Sequence, residues 1–327
     1  MKLIIITTFL FFLIASQNFS TVRAQPNQAI ERPRIIGVAH ASFYTKAMES
    51  TRRFYSSYLG FDEPFSLMSK DGKDLAMSFI KINDSQYVEL FPEKAKGGNR
   101  MYHFAIETND AEAMRKYLAS KGLKVPDKTP IGRTGNSNYF VTDPNGTICE
   151  IVQYEPNSMS DKCIGKNMPE TRVASRMSHV GFMVPDLDKA ISFYCDILGF
   201  QETWRGSRDE KNVTWVNLKV PDGNDYIELM LFDKEPSVNS MGTMNHICLE
   251  VSDVTVSESL LNSRKLPEGL KTPTALKTGI NKKRQINCYD IDGTRVEIME
   301  ANTVDGKPTP SSTAPPLKYT PALNRPL

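Results

Sequence analysis

The sequence predicts an α+β fold in which one domain occurs twice in tandem. Two observations support this prediction: four motifs recur in the same order in both halves, and each half alternates strand-like and helix-like segments in the order strand, helix, three strands, then the same again. The length of 327 residues agrees, since one domain needs about 150 residues. Each copy is therefore long enough to bury a core of its own.

The first repeated motif closes a predicted helix in each copy. Phe-Tyr-Ser-Ser-Tyr-Leu-Gly-Phe occupies 54–61, and Phe-Tyr-Cys-Asp-Ile-Leu-Gly-Phe occupies 193–200. In both, an amphipathic pattern ends at a glycine, Gly60 or Gly199. Glycine is the residue that most easily takes the left-handed conformation after a helix, so we expect the helices to end there.

Three more motif pairs follow in the same order. Tyr-Val-Glu-Leu at 87–90 matches Tyr-Ile-Glu-Leu at 226–229, Met-Tyr-His-Phe-Ala-Ile-Glu at 101–107 matches Met-Asn-His-Ile-Cys-Leu-Glu at 244–250, and Asn-Gly-Thr-Ile-Cys-Glu-Ile at 145–151 matches Asp-Gly-Thr-Arg-Val-Glu-Ile at 292–298. The Asn-Gly and Asp-Gly pairs are typical of two-residue hairpin turns. In the first copy we expect helices at 46–58 and 110–121 and strands near 35–43, 62–69, 75–82, 86–91, 102–108, 124–129, 137–142 and 147–154.

The first residues are typical of a secretory signal. Lys2 precedes an apolar run, and Val22-Arg23-Ala24 offers the small residues that a signal peptidase prefers. The run is shorter than the roughly 20 residues that span a bilayer, which disfavours a membrane anchor. We expect residues 1–24 to be a cleavable signal peptide, and the mature protein to be extracytoplasmic, either periplasmic or secreted.

Composition sets the remaining boundaries. Domains are expected at 34–155 and 174–301, joined by a linker at 156–173 that is rich in proline, asparagine and glycine. From 302 to 327, proline and hydroxyl residues predict a disordered tail. The five cysteines show no paired spacing, so no disulfide framework is expected.

Charge restricts the partners. The formal net charge is +2, and no run of five like charges occurs, which disfavours nucleic acid and anionic membranes as partners. We expect a small-molecule substrate, no membrane contact once the signal is removed, and a monomer or homodimer.

All four histidines of the chain occupy matching positions, two in each copy, and each begins a predicted strand. One such histidine alone would be interpreted as a half-buried strand residue. Four in register indicate ligands, and glutamates recur on the neighbouring strands, although Val-Glu-Leu alternation is also common in half-exposed strands. The candidate ligands are His40, Glu89, His103 and Glu150 in the first copy, and His179, Glu228, His246 and Glu297 in the second.

Two imidazoles with one or two carboxylates suit a divalent ion such as Zn, Ni, Co, Mn or Fe(II). The candidate ligands are far apart in sequence, so the fold must bring them to one face of a sheet. Strand alternation predicts which residues share that face. In the first copy they are Ser42, Tyr44, Tyr87, Phe91, Ala105, Val152 and Tyr154; in the second they are Gly181, Met183, Tyr226, Met230, Phe232, Cys248, Glu250 and Met299.

On these motifs, each copy resembles a domain of the vicinal oxygen chelate superfamily, which includes glyoxalase I, extradiol dioxygenases, methylmalonyl-CoA epimerase and the fosfomycin and bleomycin resistance proteins. The helix end at 54–61 and the Asp-Pro-Asn-Gly-x-x-x-Glu hairpin at 143–150 carry the resemblance. It implies paired βαβββ modules that form an open, barrel-like sheet around a metal, with the eight candidate residues at the ligand positions.

The resemblance leaves two module pairings open. If modules pair within each copy, each copy holds one site. If they exchange between copies, His40 and Glu89 join His246 and Glu297, while His179 and Glu228 join His103 and Glu150.

Two histidines with two glutamates resemble the glyoxalase I pattern. This implies a metal-dependent isomerase or lyase that acts on a small vicinal-oxygen substrate through a metal-stabilised enediolate, with Glu89 or Glu228 as both ligand and catalytic base. An exported protein would meet little glutathione hemithioacetal, so we expect a different vicinal-oxygen substrate.

Two other functions remain open. An Fe(II) extradiol-type dioxygenase also has tandem domains, but that family carries a tyrosine ten positions before the last glutamate and further pocket histidines. This chain has Phe140 and Asn287 at those positions and no spare histidine, unless Tyr139 or Tyr289 takes the tyrosine's place. A metal-free, resistance-type binding protein is disfavoured, because both copies carry the complete ligand set.

Overall fold

The computed structural model describes residues 30–93 and 99–320. The predicted signal peptide lies outside these residues, so export stays a prediction. Among the residues described, no helix is long and apolar enough to cross a lipid bilayer.

Each copy forms one sheet with helices beside it. The first copy contains β1 (Ile35–Thr45), α1 (Met48–Arg53), β2 (Asp62–Met68), β3 (Leu75–Lys81), β4 (Tyr87–Pro92), β5 (Met101–Thr108), α2 (Ala111–Ser120), β6 (Ser137–Thr142) and β7 (Ile148–Gln153). The second contains β8 (Arg176–Val184), α3 (Leu187–Ile191), β9 (Gln201–Ser207), β10 (Val213–Lys219), β11 (Tyr226–Leu231), α4 (Val238–Met244), β12 (His246–Val251), α5 (Val254–Asn262), β13 (Lys277–Thr278), β14 (Arg284–Tyr289) and β15 (Arg295–Glu300). The predicted α+β fold of two tandem domains is confirmed.

The repeated helix-end motif adopts the same structure twice. Helices α1 and α3 each continue into a π-helical turn, Phe54–Tyr58 and Ser192–Ile197. The chain then leaves the helix at a glycine with positive φ, +80° at Gly60 and +78° at Gly199, as predicted. The aromatic residues of the motif are buried, so the motif packs each helix against its sheet.

The sheet order shows how the modules pair. In the first sheet the strands run β2-β3-β4-β1-β5-β7-β6, and in the second β13-β14-β15-β12-β8-β11-β10-β9. The first strand of each copy pairs with the first strand of that copy's second module, β1 with β5 and β8 with β12. Modules therefore pair within each copy, and the exchanged arrangement is not the one observed.

The two copies also contact each other through matching turns. The Asp292 carboxylate, in the Asp-Gly turn of the second copy, accepts hydrogen bonds from Thr45 Oγ1 at 2.7 Å and from the Lys46 amide at 2.8 Å. In the first copy, Asn145 Nδ2 donates to the Asp186 carbonyl at 2.9 Å. Buried residues of both sheets belong to one continuous apolar core, so the copies pack as a single body.

Two predicted features differ from the structure. No strand forms at 124–129; the chain makes only an isolated bridge between Ile131 and Ser137. Pro126 lies in this stretch and Pro130 directly follows it. A proline has no amide hydrogen to donate to a neighbouring strand.

The segment expected to be a disordered tail lies against the second sheet as far as residue 320. The Val213 amide donates to the Pro315 carbonyl, and the Leu317 amide donates to the Val213 carbonyl, both at 2.9 Å. Prolines lack an amide hydrogen, but the carbonyl groups of an extended, proline-rich segment can still accept hydrogen bonds. Val213, at the start of β10, is the hydrogen-bond partner of this segment.

Candidate metal centre

The four candidate ligands of the first copy lie on four adjacent strands, β4, β1, β5 and β7. Ser42 on β1 stands opposite Glu89 on one side and His103 on the other. Ala105 on β5 stands in the same way between His40 and Glu150. Cross-strand partners face the same side of a sheet, so this register directs all four side chains toward one point.

The ligand atoms of this cluster are close to one another and buried. His103 Nε2 lies 3.1 Å from His40 Nε2, 2.9 Å from Glu150 Oε2 and 3.5 Å from Glu89 Oε2. His40 Nε2 lies 3.3 Å from Glu150 Oε2 and 3.6 Å from Glu89 Oε2. Atoms that share one ion at about 2.0–2.2 Å lie about 3.0–3.6 Å apart, so the donor set fits a divalent metal.

Two neighbouring side chains hold the carboxylates in place. Ser42 Oγ donates a hydrogen bond of 2.7 Å to Glu89 Oε2, and Asn138 Nδ2 donates one of 2.7 Å to Glu150 Oε1. Such outer hydrogen bonds orient metal ligands. Ser42 was predicted on this face from strand alternation. Asn138 was not predicted, although the same alternation in β6 would have identified it.

The cluster is electrostatically compensated. Burial lowers the pKa of His103, but hydrogen bonds to Glu150 and Glu89 outweigh burial and raise it to about 9. Burial raises the pKa of Glu150, while His40 and His103 hold it well below its usual range. Two buried carboxylates thus require positive charge, which comes from protonated histidine or from a bound cation.

A cavity of about 200 Å³ opens in front of the cluster. Its walls are mostly aromatic and apolar, as a small-molecule site requires. The prediction of Tyr87, Phe91, Val152 and Tyr154 as lining residues agrees with the structure, whereas Tyr44 lines a different depression. The aromatic and apolar lining residues that were not predicted are Phe65, Leu67, Met77, Phe79, Tyr102 and Phe140.

Phe140, not Tyr139, faces the cluster. The Phe140 ring lies 5.1 Å from the His103 ring, centroid to centroid, in an edge-to-face arrangement. Tyr139 is in the apolar core, and its buried hydroxyl has no hydrogen-bond partner in the described part of the chain. The place where a dioxygenase-type tyrosine was considered is therefore occupied by a phenylalanine.

The second cluster is looser. His179 Nε2 lies 3.2 Å from His246 Nε2, and Glu297 Oε2 lies 3.6 Å from both. Glu228 Oε1 is 3.8 Å from His246 Nε2. The residues form two groups of three that could hold an ion, one with Glu228 and one with Glu297 and Cys248, instead of one group of four.

Two substitutions between the copies alter the second cluster. Gly181 stands where the first copy has Ser42, and the His246 ring lies so close that a Cβ at Gly181 would be 2.1 Å from its Cε1. Arg295 stands where the first copy has Ile148, and its Nη2 lies 2.7 Å from His246 Nδ1. Neither carboxylate of the second cluster is therefore held by a serine.

Arg295 changes what His246 can do. His246 Nδ1 lies 2.7 Å from Arg295 Nη2, which only donates, and 2.7 Å from the Met244 carbonyl oxygen, which only accepts. Burial and the Arg295 charge lower the pKa of His246, which keeps the ring neutral. The guanidinium charge beside the ring also opposes the approach of a metal cation. Sequence alternation would have found Arg295, two positions before Glu297 on β15.

The chain is similar to known proteins in both copies. Residues 37–151 and 178–268 each match a family model described as Glyoxalase/Bleomycin resistance protein/Dioxygenase superfamily. The chain is 35% identical over 135 residues to mitochondrial methylmalonyl-CoA epimerase of Mus musculus, covering 38% of this chain and 73% of the epimerase. It is 30% identical over 118 residues to a lactoylglutathione lyase of Arabidopsis thaliana, covering 36% of each protein.

Solved structures share the fold across most of the chain. The Mn(II)-bound glyoxalase from Novosphingobium aromaticivorans superposes with a TM-score of 0.61 at 16% identity, covering 90% of this chain and 89% of that one. An extradiol ring-cleaving dioxygenase from B. fuscum superposes with a TM-score of 0.62 at 14% identity, covering 90% and 78%. At these identities the likeness concerns the fold alone.

Proposed function

The chain belongs to the Glyoxalase/Bleomycin resistance protein/Dioxygenase superfamily, and on that basis we propose that it is a metal-dependent isomerase or lyase acting on a small substrate with two neighbouring oxygens. The observation that carries the proposal is the first cluster, in which two histidines and two glutamates converge at ligand distances. The sequence relatives support the reaction type, since those cited above are named as an epimerase and a lyase.

The ligands proposed for the ion are His40, Glu89, His103 and Glu150. The ion is one of Zn, Ni, Co, Mn and Fe(II), all of which accept this nitrogen and oxygen donor set. When bound, it would polarise adjacent substrate oxygens and lower the pKa of the neighbouring C–H bond.

Glu89 is the residue we propose as the base. Both oxygens of Glu150 are engaged, Oε1 by Asn138 and Oε2 by the two histidines. Glu89 uses only Oε2, which accepts from Ser42, so within the described chain its Oε1 is free to take a proton. Glu89 also borders the cavity, so a substrate carbon can approach it.

The cavity walls determine what can enter. Aromatic and apolar side chains exclude water and strengthen the electrostatic effect of the buried cluster on a bound substrate. Apart from the histidines of the cluster, Arg133 is the one basic side chain lining this cavity within the described residues. A compact, largely apolar substrate fits these features better than a highly charged one.

Ring cleavage by Fe(II) is the second candidate, since the tandem fold is shared with an extradiol dioxygenase. Phe140 occupies the place considered for a tyrosine, and all four histidines of the sequence belong to the two clusters. No further histidine therefore supplies the additional acid–base group, and the tyrosines that line the cavity, Tyr87, Tyr102 and Tyr154, lie at other positions. This favours isomerisation. Metal-free binding is less favoured still, because the four ligand atoms of the first cluster already lie at the separations expected around a shared ion.

Hydrogen exchange in deuterated water tests the proposed reaction. Metal-reconstituted protein is incubated with hydroxyacetone and, separately, with 2-hydroxyacetophenone, two compact neutral α-hydroxyketones, and deuterium at the carbon beside the carbonyl is measured by NMR. We expect incorporation with one of these probes and its loss in Glu89→Gln, with unchanged rates in the surface control Glu112→Gln. Incorporation that survives Glu89→Gln would exclude Glu89 as the base; aerobic oxygen uptake with catechols but no exchange would favour ring cleavage.

A further inference from the structure

The cavity of the second copy has a different chemical character from that of the first. Its volume is about 350 Å³, and it lies over Glu228 and Glu297. At matching places in β2 and β9, Phe65 and Leu67 of the first copy are replaced by Trp204 and Gly206. In β3 and β10, Met77 and Phe79 are replaced by Trp215 and Asn217.

Cationic side chains line this cavity where the first has apolar ones. Arg295 lines its floor, Arg208 stacks on the Trp215 ring at 5.2 Å, and Lys277 lies at the rim. The two glutamates do not form ion pairs with Arg295; their close partners are histidines.

Two hydrogen-bond donors in the wall of the second cavity have no acceptor among the described residues. Arg295 Nε and Trp204 Nε1 are both buried and make no hydrogen bond with any described residue. The Trp204 ring is held flat over Gly206, where a Cβ would be 2.2 Å from its Cη2. Buried donors without a partner are costly, and an oxyanion is the acceptor that both lack.

We infer that the second cavity is a metal-independent site for a small organic carboxylate, bound by Arg295 and Arg208 and packed against Trp204 and Trp215. Arginine binds carboxylates through paired hydrogen bonds, and tryptophan faces take planar apolar groups. Arg295 also places a positive charge 2.7 Å from His246 Nδ1, which opposes a metal cation in this cluster. The two copies thus carry sites for different chemistry.

The chain offers a direct probe of this site. Trp204 and Trp215 are the only two tryptophans in the sequence, and both line the cavity, so selectively excited tryptophan fluorescence reports on it. The whole mature protein is titrated with benzoate and with benzamide, its neutral isostere, in the presence of EDTA. We expect benzoate to quench the fluorescence with an affinity at least about tenfold above that of benzamide, because only benzoate makes charge-assisted bonds.

Variants distinguish the effect of the arginine charges on ligand binding from an effect on folding. Arg295→Ile inserts the residue of the first copy and should weaken benzoate about tenfold or more while leaving benzamide unchanged. Arg208→Met, at an exposed position, should weaken benzoate without affecting folding, and Lys189→Met, an exposed charge outside the cavity, should do nothing. Equal affinities for the two ligands, or benzoate binding that survives both arginine variants, would overturn the inference. Loss of benzoate binding on EDTA treatment would overturn its metal independence.

Discussion

Ser42 Oγ donates a 2.7 Å hydrogen bond to Glu89 Oε2 and lies 2.9 Å from His103 Nε2. The serine is fully buried between the strands that carry these two residues. Because it touches one carboxylate and one imidazole, it sets the orientation of half of the proposed ligand set. The second copy has glycine at this position, and its cluster is looser.

Ser42→Ala should weaken metal binding by about tenfold to a hundredfold, since it removes an outer hydrogen bond to a ligand. Ser78→Ala is the matched control, because Ser78 is also fully buried in the first sheet and its hydroxyl has no hydrogen-bond partner among residues 30–93 and 99–320. Competition with a fluorescent chelator measures both affinities. An equal loss in the two variants would mean that Ser42 acts only through packing.

The metal-free protein should lose stability as pH rises. The folded-state pKa of His103, about 9, lies above the ordinary value of 6.5, since hydrogen bonds to Glu150 and Glu89 outweigh burial. A raised histidine pKa stabilises the fold fully below the unfolded-state value and ceases to do so through the folded-state value. We therefore expect the free energy of unfolding to fall between pH 6.5 and about 9, measured by urea denaturation after chelation.

The same protonation opposes metal binding, so metal affinity should rise over this pH range. His103→Gln removes the titrating group and should flatten the stability profile of the metal-free protein. A wild-type profile that is already flat over the range would contradict the proposed charge state of His103.

Gly60→Ala should destabilise the protein more than Gly72→Ala. Both glycines have positive φ, +80° and +74°, so both substitutions cost about 1–2 kcal/mol of backbone strain. Only at Gly60 would the new Cβ also collide with the backbone, 2.6 Å from the Thr171 carbonyl oxygen. Urea denaturation gives the two free energies of unfolding; equal values would show that the helix end can shift away from Thr171.

Much of the site could be predicted from the sequence, because alternate residues of a strand face the same side of a sheet. His40, Glu89, His103 and Glu150 recur in register in both copies, and alternation alone directs such residues to one face. The pairing of modules could not be predicted from the sequence, because both copies contain the same set of strands. Only the backbone hydrogen bonds between strands show that β1 pairs with β5 and not with β12.

The differences between the copies were harder to predict. Trp204 and Trp215 reach the second cavity from β9 and β10, and their position relative to Glu297 depends on how far apart the strands lie in the sheet. Arg295 was not among the residues predicted for this face, although it lies two positions before Glu297; its contact with His246 depends on side-chain direction and on the space left by Gly181. Such contacts are set by packing and not by sequence spacing.

The central claim is that the first cluster, not the second, holds the catalytic metal. The most direct test is the metal content per chain, measured by elemental analysis. Wild type, His103→Ala and His246→Ala are compared, each after reconstitution with Mn(II). We expect about one ion per chain in wild type and in His246→Ala, and none in His103→Ala, because one cluster offers four ligands. Two ions per wild-type chain, or loss of the ion from His246→Ala alone, would contradict the claim.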